Sequence, residues 1–200
     1  MRHISSSFSL AIAGKYIVAF TVACILSACV TLRPVLPRGE RPDTNTGYVA
    51  GVFQIQGKDD FAFGITNVNG GEELIFPFAN PAGPQLDKKS GREVPDRVTM
   101  IQLPPGRYRL TSWVAYGPGT KQQTARKNLP ADNQNREFVV TAGRVSFLGK
   151  FTATYWFGGL SKNFHIIPQR ITENELASML KVAYPFFSMD IIDPRPGSLQ

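Results

Sequence analysis

The chain sets a thiol, Cys29, directly behind a leucine and two small side chains, in the order Leu26-Ser27-Ala28-Cys29. A thiolate is a strong nucleophile. Small residues at Ser27 and Ala28 leave the neighbouring backbone open to a second reagent. Other reactive groups are few. The second thiol, Cys24, lies inside an apolar run, and the only histidines are His3 and His165. His165 sits between Phe164 and Ile166 in a strand-like stretch, where a lone histidine is usually structural. No G-x-S-x-G nucleophile elbow is present. Asp59-Asp60 reads as a solvated turn, with a weak Ca²⁺ contact as the alternative. Gly70-Gly71 and Gly117-x-Gly119 lack the following helix that a phosphate loop needs. No catalytic residue, metal ligand or cofactor site is therefore expected.

Non-covalent chemistry has two candidates. Arg107 and Arg109 alternate outward with Thr111 and Trp113, and Lys121, Arg126, Lys127 and Arg136 lie in or beside the next loop. If that loop folds over the strand, these cations converge around Trp113, an arrangement suited to an anionic glycan or lipid headgroup. Tyr155-Trp156-Phe157, together with Trp113, could form a platform for a sugar or peptide. The plainer readings are a solvated basic surface and a set of core aromatics.

The elements around Cys29 give it a context. Arg2 and Lys15 precede an uncharged run from Tyr16 to Leu26, the layout of a secretory signal. The uncharged stretch continues to Leu32 and only approaches the length of a membrane span, which needs about 20 apolar residues. Leu26 is too large for an A-x-A-like cleavage site, although a cut after Cys29, with Ser27 three residues before the bond, is an alternative.

The four residues Leu26 to Cys29 resemble a bacterial lipobox. That resemblance implies transfer of a diacylglyceryl group to the Cys29 thiol and cleavage between Ala28 and Cys29. The mature chain would begin at Cys29. Two acyl chains suffice for stable anchoring, where one is marginal. Val30, rather than Asp, after the cysteine resembles the outer-membrane sorting pattern of Gram-negative lipoproteins. The expected location is thus the outer membrane, with the lipid on Cys29 as the membrane partner.

Removing residues 1–28 leaves 172 of the 200, a single-domain length, and lowers the formal net charge from +7 to +5. A mild basic excess suits anionic lipid, glycan or acidic protein. Nucleic acid is not an expected partner, because the signal exports the chain away from it. With Cys24 removed and Cys29 lipidated, the domain has no disulfide and must rest on its hydrophobic core.

Residues 29–47 contain Pro34, Pro37 and Pro42 and three arginines, and read as a lipidated tether. Extended at ≈3.1 Å per residue, it could hold the domain about 50 Å from the bilayer. From Tyr48 the pattern turns to period two. Strands are predicted over 48–56, 61–66, 74–78, 97–103, 107–116, from Phe138 through Gly149 with a turn at Ala142-Gly143, over 151–157 and over 163–167. Asn69-Gly70-Gly71 and Pro104-Pro105-Gly106 are predicted turns. Residues 79–96 and 117–136 read as loops. Thr172 and Glu175 suggest a capping box opening a helix over about 173–183, with Leu176, Met179, Leu180 and Ala183 on one stripe and Pro185 as its stop. The sandwich domain spans 48–192, and 193–200 is an expected loose tail. About seven strands and one late helix predict a mainly β fold, an antiparallel β-sandwich, with a small barrel as the alternative.

Ile101 to Leu110 reads IQLPPGRYRL, and Phe138 to Gly149 reads FVVTAGRVSFLG. This pair resembles carboxypeptidase-regulatory-like, transthyretin-like β-sandwich modules over about 50 residues. The resemblance implies a binding or structural role and carries over no catalytic residue. The expected function is a lipid-anchored, non-enzymatic envelope module that binds an envelope protein or glycan or serves a structural role. The competing expectation is a hydrolase of envelope polymers relying on His165.

Overall fold

The computed structural model describes residues 31–57, 60–78, 94–117, 122–130, 136–158, 161–196 and 198–199. These form eleven strands: β1 (Thr31–Leu32), β2 (Gly47–Gln56), β3 (Asp60–Asn67), β4 (Leu74–Pro77), β5 (Val94–Leu103), β6 (Gly106–Tyr116), β7 (Gln123–Asn128), β8 (Glu137–Val140), β9 (Val145–Gly158), β10 (Ser161–Gln169) and β11 (Ile192–Pro194). A single helix, α1 (Glu173–Ala183), and a 3₁₀ turn at Met189–Ile191 follow β10.

The strands make two sheets, and no barrel closes. The first has the order β1-β4-β3-β6-β7, with β8 also on β6. The second has the order β10-β9-β2-β5, with β11 also on β9. The mainly β sandwich predicted from alternation is what forms. Most pairs are antiparallel, but β2 with β9, β1 with β4 and β11 with β9 are parallel.

Alternation explains the layers. Val49, Phe53 and Ile55 of β2 face the inter-sheet core with Phe61, Phe63 and Ile65 of β3. Tyr48, Ala50 and Val52 point the other way, to a second core beneath α1. Phe53 is the hub of the first core: it stacks on Phe78 at 3.9 Å between centroids and meets Phe63 and Phe76 edge-on. Such aromatic pairs contribute about 0.5–1.5 kcal/mol each beyond area burial.

The helix closes the second core with Leu176, Leu180 and Ala183. Its capping box is half formed. Thr172 Oγ1 accepts from the Glu175 N–H at 3.2 Å, but the Glu175 carboxylate turns to Lys150 Nζ at 3.1 Å.

Several expectations are corrected. The segment from residue 31 is not a free tether: Thr31–Leu32 pairs with Leu74–Ile75, Val35 bridges Ile101, and Leu36 is buried in the second core. Prolines signal extension, and an extended chain can lie along a sheet edge as readily as span water. The tail is docked as well, through β11 and the Arg195 N–H to Phe147 carbonyl bond of 3.0 Å. Gln123–Asn128 is an edge strand inside the expected loop 117–136. It is exposed on both faces, so it carries no apolar period. The expected turn at Ala142-Gly143 separates β8 from β9, but residues 145–157 do not divide at Lys150, because β9 runs unbroken through a bulge at Gly149, φ +122°. β5 starts at Val94, inside the expected loop 79–96, and residues 79–93 lie outside those described.

Pro104-Pro105 does not join two strands of one sheet. It is a corner between β5 in the second sheet and β6 in the first. Tyr108 Oη donates to the Pro104 carbonyl at 2.9 Å and braces it, as tyrosine corners do in β-sandwiches.

Candidate functional site

The register between β3 and β6 slips once. Gly64 lies opposite Ser112, but Ile65 lies opposite Leu110. Thr111 is the extra residue, a β-bulge that exchanges inside and outside along β6. Before it Tyr108 and Leu110 face the core. After it Trp113 and Ala115 do, opposite Phe63 and Phe61. Arg107 and Arg109 therefore stand on the opposite face of the sheet from Trp113, and the expected convergence of cations does not form.

Both arginines end on one carboxylate. Arg107 Nη2 lies 2.8 Å from Glu137 Oε2, and Arg109 donates to Oε1. Glu137 faces Arg109 directly across the β6–β8 pair. The hydrogen bond from Arg109 holds the Glu137 carboxyl below the usual carboxylate range, and the two guanidinium charges add to this.

Lys127 does reach Trp113. The two are cross-strand partners, and Lys127 Nζ stands 5.3 Å from the centre of the half-buried indole. A cation–π contact at a solvated site contributes about 0.5–1 kcal/mol. Trp156 lies in β9 opposite Asn163, and its side chain is outside the described residues. Ala28, Cys29, Lys121 and Asp59 are also outside them. His165 is exposed on β10, opposite Thr154. Arg136 Nη1 donates to the Pro130 carbonyl at 3.2 Å.

The most elaborate polar cluster among the described residues carries no signal in the sequence. Glu73, at the entry to β4, lays its carboxylate over Gly64. Thr111 Oγ1 and Ser112 Oγ donate to Oε1 at 2.5 and 3.0 Å, and Arg126 grips both oxygens, with Nη1 2.7 Å from Oε2 and Nη2 2.8 Å from Oε1. A Cβ on residue 64 would collide with Ser112 Oγ and with the carboxylate itself. Burial pushes the Glu73 carboxyl up. Hydrogen bonds from Arg126, Thr111 and Ser112, and the Arg126 charge, outweigh it and hold the group below its ordinary range. A carboxylate engaged by three donor side chains is a poor base. Its work here is to tie β4 to β6 and β7.

A second clamp joins the tail to the sandwich. Arg144 Nε donates to Asp193 Oδ2 at 2.7 Å, and its Nη2 to Oδ1. Among the described residues, no group of three His, Cys, Asp or Glu side chains could hold a metal ion, and no helix is long and apolar enough to cross a membrane.

Comparison of the chain with protein-family models, with curated proteins and with solved structures finds no match.

Proposed function

We propose that this chain is a lipid-anchored protein of the bacterial cell envelope, sited in the outer membrane, whose β-sandwich serves as a non-enzymatic binding or structural module. One observation carries the reading: Leu26-Ser27-Ala28-Cys29 ends a basic-then-apolar leader just ahead of the first strand at Thr31. The non-catalytic part draws support from the state of the carboxylates. Glu73, Glu137 and Asp193 are each committed to an arginine that holds strands together.

The test is incorporation of a fatty-acid probe in bacterial cells, followed by envelope fractionation. Wild type is expected to take up the label and sediment with outer membrane. Cys29→Ala is expected to lose the label and the membrane association together. Equal labelling of the two would overturn the reading.

A further inference from the structure

We propose that the sandwich lies directly on the headgroups of the bilayer that holds its lipid, with the β3–β4 turn nearest the membrane. This rests on the lipid-anchor reading above.

The physical reason is an absence of slack. Strand pairing begins at Thr31, opposite Leu74, and continues through Leu32, opposite Ile75. The Arg33 N–H then donates to the Ile75 carbonyl at 3.0 Å, and the Leu36 N–H to the Met100 carbonyl at 2.7 Å. Tyr184 Oη donates to the Leu36 carbonyl at 3.1 Å. A free proline-rich spacer over this stretch would reach about 50 Å at ≈3.1 Å per residue. Docked, it reaches nowhere. Only covalent bonds separate Cys29 from Thr31, and two residues span at most about 7 Å. A lipid on Cys29 therefore holds the Thr31 end of the sheet at headgroup level.

Register identifies which end that is. Thr31 faces Leu74, and Leu74 faces Ile65, so the turn through Glu72 projects at the anchored end. Asp60 faces Tyr116, and Tyr116 faces Gln123, so Gln123 marks the opposite end. The two markers are roughly 20 Å apart along the strands at about 3.3 Å per residue. Charge does not set this orientation. Of the basic side chains at the anchored end, Arg107 and Arg109 are bound by Glu137, Arg33 is half-buried, and Glu72 is exposed. Contact with the bilayer follows from the short covalent link and is insensitive to salt.

The experiment uses full-length lipidated protein, reconstituted into phosphatidylcholine vesicles carrying a headgroup energy acceptor. A fluorophore is placed on Glu72→Cys or on Gln123→Cys. The lipid occupies the Cys29 thiol and Cys24 leaves with the leader, so the introduced thiol is the one that reacts. Transfer is expected to be several-fold more efficient from position 72 than from 123, and equally so at low and high salt. A Gly/Ser spacer of about 20 residues between Val30 and Thr31, spanning roughly 25 Å, should abolish the difference. Equal transfer from both positions without the spacer, in protein that co-floats with the vesicles, would overturn the proposed orientation alone. Protein that fails to co-float would overturn the lipid anchor and the orientation together.

Discussion

Tyr184 donates its phenolic hydrogen to the carbonyl oxygen of Leu36, across 148 positions of chain. The bond joins the end of α1 to the segment that leads into the sandwich. Tyr184 also closes the helix, its own N–H bonding the Leu180 carbonyl at 2.6 Å. Burial pushes its phenol up to about 12, because an ionised ring oxygen there would lose its water.

Tyr184→Phe is expected to lower stability by about 1 kcal/mol at neutral pH, by leaving the Leu36 carbonyl without its donor. The pH dependence follows from the sign of the shift. A group whose folded value is raised contributes fully below its unfolded value and loses that contribution as pH climbs through the folded one. Here the window runs from the ordinary 10.0 to about 12. Urea unfolding of wild type and variant at pH 9 and pH 11 checks it: the wild type's advantage should shrink at the higher pH. A constant difference would contradict a buried, bonded phenol.

Leu36→Ala separates a docked segment from a free spacer. Leu36 is 6% exposed in the core beneath α1, and truncating a buried leucine costs about 2–5 kcal/mol. A melting temperature equal to wild type would mean that the segment does not pack.

Much of the architecture was legible because period-two alternation reports which side of a sheet is buried. The alternation that marks 48–56 as a strand sets Val49, Phe53 and Ile55 on the inner face of β2, and the Leu176–Leu180–Ala183 stripe marks the helix face that packs. Legibility failed where alternation changes phase. The bulge at Thr111 puts Arg109 and Trp113 on opposite faces, although an unbroken strand would place them together. Gly149 does the same in β9: Phe147 faces the outer core, whereas Phe151, four residues on, faces the inner one. The β7 strand escaped notice because its pairing is a backbone property that QTARKN does not advertise. Glu73 escaped notice because its partner Arg126 lies 53 positions away, beyond any local motif.

Tyr108→Phe removes the brace on the Pro104-Pro105 corner while keeping the ring, which packs near Phe138 in the core. The expected cost is about 0.5–1.5 kcal/mol, the net contribution of one such bond. Chemical unfolding with an unchanged denaturant slope would show that the loss is in stability and not in compactness.

The Glu73 cluster makes a stronger claim, because Gly64 and the carboxylate occupy complementary space. Gly64→Ala should destabilise by about 1–3 kcal/mol, since its methyl displaces the carboxylate and the Ser112 hydroxyl. Glu73→Ala should cost about 1–3 kcal/mol by leaving Arg126, Thr111 and Ser112 without their acceptor. The two losses should not add. Once Glu73 is gone, its share of the collision is gone too, and the Ser112 hydroxyl, released from the carboxylate, can rotate away from the methyl, so the double variant should fall short of the sum by about 1 kcal/mol or more. Acid provides the independent check. The Glu73 carboxyl sits below its ordinary 4.5 in the folded chain, so its contribution is complete above that value and is lost as pH falls through the lowered one. Wild type should therefore converge with Glu73→Gln as the pH is taken from 6 toward 3. Full additivity of Gly64→Ala and Glu73→Ala, or parallel acid profiles for wild type and Glu73→Gln, would show that Glu73 does not fill the space that Gly64 leaves.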